Sequence, residues 1–233
     1  MNTLRYNSFN QIHKGLRAQL YDTALKVQQT DLSDAEAASS VIEQIEEVLF
    51  LFDSHAHGED HYFNEPLEKT NPEIATLFVA EHVEDHRLAN VLSTLITSYR
   101  EASAPQARAE MGKHLFYAYN EFIAFNLYHM NKEEIELNAA LWEHYTDAEI
   151  KSIEQTLVQS IPPQKMMKYA KWMIRGINNI ELIHWLDEVR RFAPLPVFEM
   201  LISIAETELS VERFELVTKA LKNELTATTS TMA

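Results

Sequence analysis

The sequence predicts an all-α protein, an up-down four-helix bundle with a C-terminal helical extension, and three observations carry that expectation. Only 4 of the 233 residues are Gly and 7 are Pro, against average usages of about 7% and 5%, too few for the turns of a sheet protein. Apolar residues make up 46% of the chain, enough to fill the core of one large domain or two small ones. Helix-start signals recur along the chain, and the segments between them are long.

The first segment, 5 to 29, buries a face set by Phe9, Ile12, Leu16 and Leu20. The second, 33 to 62, opens on Ser33 with Glu36 at capping-box spacing, where each side chain satisfies an orphaned N–H at a helix start. The third, 71 to 100, opens on Asn71 followed by Pro72, an N-cap with proline at the first helical position. The fourth runs from 105 to 145. Helices of this length reach roughly 37 Å at about 1.5 Å per residue, and short connections between them favour antiparallel neighbours. The first domain is therefore expected to span 1–145.

Five shorter helices follow, at 147–160, 163–176, 179–192, 195–207 and 210–223. Thr146 with Glu149 and Asn178 with Glu181 supply two of their capping boxes. Residues 146–225 form the expected extension, packed on the bundle, and 226–233, rich in Thr and Ser, a disordered tail.

The composition excludes several function classes. Gly15, Gly58, Gly112 and Gly176 never cluster, so no phosphate loop or dinucleotide fingerprint can form. A formal charge of -15 opposes phosphate backbones, so nucleic acid is not an expected partner. With no Cys, disulfides, thiolate metal sites and cysteine nucleophiles are out. No apolar run approaches the roughly 18 residues of a membrane span, and Met1 to Phe9 lacks a secretory layout, so the expected location is cytoplasmic, with no membrane partner. Lys165, Lys168, Lys171 and Arg175 make a basic stripe that is either a solvated face or a docking surface for a second copy, which leaves a homodimer open.

Ten His residues remain, at 13, 55, 57, 61, 82, 86, 114, 129, 144 and 184. Residues i and i+4 share one helix face, so a His-x-x-x-Glu or His-x-x-x-His pair can aim two ligands at one point. Stepping about 100° per residue puts His13 on the buried face of the first segment and Glu59 on that of the second, with His55 at its edge and His57 and His61 pointing away. In the fourth segment Leu115, Tyr119, Phe122 and Asn126 form a stripe that continues through His129 and Glu133. In the third, Ile74, Phe78, Leu88 and Leu92 draw the face toward Glu81 and Asp85 and leave His82 and His86 at or past its edge. His184 with Glu188 has the same spacing but no His-bearing neighbours, and is expected to be structural. Inward-facing His and carboxylates are costly to bury unless a partner compensates them, and a cation is one such partner. The candidate ligands are His13, His55, Glu59, His82, His86, His129 and Glu133, with Asp85 the alternative to His86; their N and O donors suit iron or manganese better than structural zinc.

These residues give the sequence a family resemblance. It resembles the hemerythrin-like (HHE cation-binding) domains over residues 5 to about 145: a lone His in FNQIHKGL, His-x-x-x-Glu in FDSHAHGEDHYFNEPL, His-x-x-x-His in EHVEDHRL and His-x-x-x-Glu in LYHMNKEE, in order on four helices. The resemblance implies two iron ions joined by an oxo or hydroxo bridge, with manganese or zinc as the other candidate ions. It implies a carrier, sensor or stress-protection role through binding of dioxygen, nitric oxide or iron itself. The expectation is thus a metal-dependent binding protein rather than an enzyme. The alternative is a helical interaction or regulatory module whose metal, such as zinc, is structural.

Overall fold

Proline and capping residues open most helices where the spacing places them. The computed structural model describes residues 5–231, with side chains as far as Asn223. Its elements are α1 (Asn10–Gln29), α2 (Ala35–Tyr62), α3 (Asn64–Thr70), α4 (Pro72–Glu101), α5 (Pro105–Lys132), a π-helical turn (Glu133–Leu137), α6 (Asn138–His144), α7 (Asp147–Ser160), α8 (Pro163–Gly176), α9 (Asn179–Phe192), α10 (Leu195–Glu208) and α11 (Val211–Thr231). No strand occurs among the described residues, and no helix among them is long and apolar enough to cross a membrane.

The caps show how local chemistry sets these boundaries. Asn71 accepts from the Ile74 N–H, with Pro72 in the first turn. The Thr146 and Asn178 capping boxes are both complete. The box expected at Ser33 does not form: Asp34 caps α2, accepting from the Glu36 and Ala37 N–H groups, while Ser33 Oγ donates to Asp31. Asp is as good an N-cap as Ser, and the one-residue shift leaves Glu36 out of the box position.

The described chain divides into two compact units, one of the residues up to Asn10 together with Gln19–Pro162, the other of Gln11–Ala18 together with the residues from Pro163 on. This differs from the expected boundary at 145. Ile150 of α7 is fully buried in a core with Phe63, Leu67, Phe78 and Leu141, and Ile153 and Leu157 pack against it, so α7 belongs to the first unit. The predicted fourth segment, 105–145, is also subdivided, into α5, the π turn and α6. α3 was not expected; Pro66 falls within its first turns, where a missing N–H costs nothing. α11 runs on to Thr231 where a disordered tail was expected from 226, and residues 232 and 233 lie outside the described residues.

In the first unit α4 lies between α2 and α5, and the register is legible from side-chain pairs. Glu81 meets His129 and Asp85 meets Asn126, while Asp60 meets His82 and Glu46 meets Arg100. In each set the residue number rises on one helix as it falls on the other, so α4 is antiparallel to both neighbours. Leu88, Leu92, Ile96, Leu115, Tyr119 and Phe122 are buried along this stack.

The second unit has an apolar core of Ala170, Ile174, Leu182, Leu186, Leu201, Ala205, Val217 and Leu221. Two close approaches tighten it. A Cβ on Gly176 would stand 2.3 Å from the Lys14 carbonyl oxygen, and Lys14 Nζ pairs with Glu181 at 2.5 Å.

Candidate metal centre

Three helices of the first unit each bring polar side chains into its interior. α2 contributes His55 and Glu59, α4 contributes His82, and α5 with its π turn contributes His129 and Glu133. Glu59, His82, His129 and Glu133 are at most 6% exposed. One ligating atom from each lies within 4.8 Å of all the others.

The contacts divide between the two oxygens of Glu59. Its Oε1 is 3.1 Å from His55 Nε2, and its Oε2 is 3.5 Å from His82 Nε2. Glu133 Oε1 is 3.0 Å from His129 Nε2 and 3.7 Å from His82 Nε2. The buried His82 Nε2 therefore faces two carboxylate oxygens at or beyond the outer limit of a hydrogen bond and makes none.

The outward ring nitrogens are tied down. His82 Nδ1 meets Asp60 Oδ1 at 2.7 Å and His129 Nδ1 meets Glu81 Oε2 at 2.8 Å; Glu81 also accepts from Lys132. Such carboxylate partners fix ring orientation and tautomer, leaving Nε2 to point inward. The His129 ring is further held between Phe78 and Phe125, with centroids 5.9 Å and 5.8 Å away.

Burial acts against charge on His82, yet Asp60, Glu133 and Glu59 outweigh it and push the imidazole up to about 12. His129 is likewise opposed by burial and raised to about 9 by Glu133, Glu81 and Glu59. Burial and the facing Glu59 both oppose ionisation of Glu133, but His129 and His82 hold it below the usual carboxylate range. Each imidazole thus faces carboxylates on both of its ring nitrogens, a negative surrounding that also suits a cation.

The π turn is where the Glu133 side of the cluster is built. The Asn138 N–H donates to the Glu133 carbonyl, a five-residue step, and also to Ile135. Asn138 is fully buried, and its Nδ2 donates to Asn7 Oδ1 and the Glu134 carbonyl. π turns inside α-helices concentrate at functional sites.

Of the seven sequence-predicted ligands, five gather here: His55, Glu59, His82, His129 and Glu133. His82, expected at or past the edge of its apolar face, is 4% exposed. His86 does not join them; its side chain is 44% exposed and its Nδ1 lies 3.5 Å from Asp53. Its neighbour Asp85 points inward instead, because Ala75, Phe78, His82, Asp85, Leu88 and Leu92 form the buried stripe of α4. His13 is fully buried, on the stretch of α1 that groups with the second unit. His57 and His61 are exposed, as the face argument requires, and so is His184.

The sequence reading missed Asp60, and took Glu81 only as a residue on the face of α4. Each adjoins a ligand in sequence, Asp60 after Glu59 and Glu81 before His82, but their roles depend on which helix lies opposite. A cavity of about 10 Å³ opens beside the cluster, lined by Phe52, His55, Ala56, Glu59, His82, Asp85, Asn126, His129 and Met130.

The residues present fit a metal ion: buried imidazole and carboxylate donors converge, no thiolate competes, and a buried ring nitrogen facing the other donors makes no hydrogen bond. No family model, curated protein or solved structure matches the chain.

Proposed function

We propose that the protein is a non-haem di-iron binding protein of hemerythrin type, its first unit an up-down four-helix bundle in which residues 19–29 of α1 join α2, α4 and α5. The observation that carries this reading is the convergence of Glu59, His82, His129 and Glu133 within 4.8 Å. His55, 3.1 Å from Glu59 Oε1, would add a further imidazole donor beside Glu59.

Iron held by these residues would supply reversible binding of dioxygen or nitric oxide, or would itself be the cargo. This chain's residues do the rest. Asp60 and Glu81 orient the two imidazoles, Phe78 and Phe125 hold the His129 ring, and burial keeps bulk water from the donors.

Anaerobic loading with ferrous iron, followed by air, tests the reading. It expects two iron ions per chain and new near-ultraviolet absorption on oxidation. A colourless protein that is indifferent to air and holds a single zinc ion would overturn it in favour of a helical interaction or regulatory module with a structural metal. The four-donor cluster alone is compatible with such a site.

A further inference from the structure

Asp85 is buried and unused by the centre described above. Its carboxyl is 3% exposed, and it forms no ion pair among the described residues. It lies outside the convergent ligand group, yet it lines the same small cavity. With Asn126 it makes up all of the cavity's polar lining apart from the proposed ligands; the rest is Phe52, Ala56 and Met130.

The orientation of the pair follows from counting hydrogens. The Asn126 amide has two, and both are committed: Nδ2 donates to Asp85 Oδ1 at 2.7 Å and to the Phe122 carbonyl at 3.1 Å. Asn126 therefore has no N–H left to offer a guest, and it holds one oxygen of Asp85 in place. Two polar oxygens of the pair are left, Asn126 Oδ1 and the second Asp85 oxygen, and of these only the Asp85 oxygen can carry a proton. A cavity of about 10 Å³ has space on the scale of a single water, so a guest reaching into it places one heavy atom there.

We infer that Asp85, positioned by Asn126, is the hydrogen-bonding partner of a small diatomic ligand held at the centre. This rests on the metal reading above and deepens it, since it gives the site a polar wall at one end and an apolar one elsewhere. Burial raises the carboxyl above its usual range, which favours the form bearing an O–H. That O–H would point at the outer atom of the guest.

Two substitutions separate the possibilities. Asp85→Asn retains an oxygen to accept from Asn126 and places an N–H where the O–H stood, whereas Asp85→Leu removes both. Both variants and the wild type are loaded anaerobically with ferrous iron, assayed for iron per chain, then exposed to nitric oxide as the probe. The expected result is unchanged iron content in all three. In Asp85→Leu, nitric oxide leaves about tenfold faster, the worth of one hydrogen bond, and its N–O stretching frequency shifts. Asp85→Asn keeps release within about threefold of the wild type.

A wild-type rate and frequency in Asp85→Leu would overturn the inference while leaving the metal reading intact. Loss of iron in Asp85→Leu with retention in Asp85→Asn would overturn it by making Asp85 a structural support of the centre. A wild type that takes up no iron removes both proposals together. A readout independent of loading is the infrared band of a protonated carboxyl in the metal-free protein, present in the wild type and missing from both variants; its absence from the wild type counts against the O–H donor.

Discussion

The first unit buries a cluster of His and carboxylate side chains that the apolar core of the second lacks, although the same sequence spacing occurs in both. The second packs Ala170, Ile174, Leu182, Leu186, Leu201, Ala205, Val217 and Leu221 against one another with no charge in that cluster. The first encloses Glu59, His82, Asp85, His129 and Glu133, each at most 6% exposed. His184 and Glu188 are separated by four residues just as His129 and Glu133 are, yet both are exposed. A spacing therefore brings two donors together, but only the opposing helices decide whether they meet anything. Burying such groups costs several kcal/mol per uncompensated ion, and in the first unit each buried imidazole faces a carboxylate.

The sharpest way to break this contrast is to remove one His from each pair. His129→Ala is expected to lose stoichiometric metal, and His184→Ala to keep it, as read by metal analysis of purified protein. Equal behaviour would erase the distinction between the units. Next in size is a core truncation on the apolar side. Leu182 is fully buried, and Leu182→Ala should cost about 2–5 kcal/mol of stability in chemical denaturation while leaving metal content unchanged.

Smaller effects belong to the residues that orient the rings. Asp60→Ala and Glu81→Ala should each weaken metal binding about 10–100-fold in competition with a chelator, whereas His86→Ala, half-exposed and outside the cluster, should not change it. Acidity sharpens the contrast further in the metal-free protein. His129 is raised to about 9 in the fold from about 6.5 when unfolded. Its stabilising contribution is therefore complete below about 6.5 and lost as pH rises through about 9. Thermal unfolding should show that decline in the wild type and a smaller one in His129→Ala.

Much of the fold was legible because capping and period are local. α8 and α9 begin and end where Pro163, the Asn178 box and the neighbouring breaks place them. The His55–Glu59 and His129–Glu133 pairs were readable for the same reason. α4 was harder. Its buried positions 75, 78, 82, 85, 88, 92, 96 and 99 follow a regular three-and-four step, but taking the half-buried Ile74 as part of the apolar face drew that face toward Glu81 and left His82 at its edge. The π turn left no such trace, since it depends on Asn138 docking against Asn7, 131 residues away in sequence. The unit boundary was missed because Ile150, Ile153 and Leu157 declare an apolar face without saying which core receives it.

The widened turn at Glu133–Leu137 also has a bearing on how the chain tolerates change. A π turn is an α-helix carrying one surplus residue, and Ile135 within it is 68% exposed. Deleting Ile135 would let the backbone close into ordinary α geometry with α6 still in its former rotation, a lesion that most helices could not absorb. The chain would keep its shape there while the carboxylate one turn below His129 lost its local setting, so a single missing codon could separate folding from chemistry.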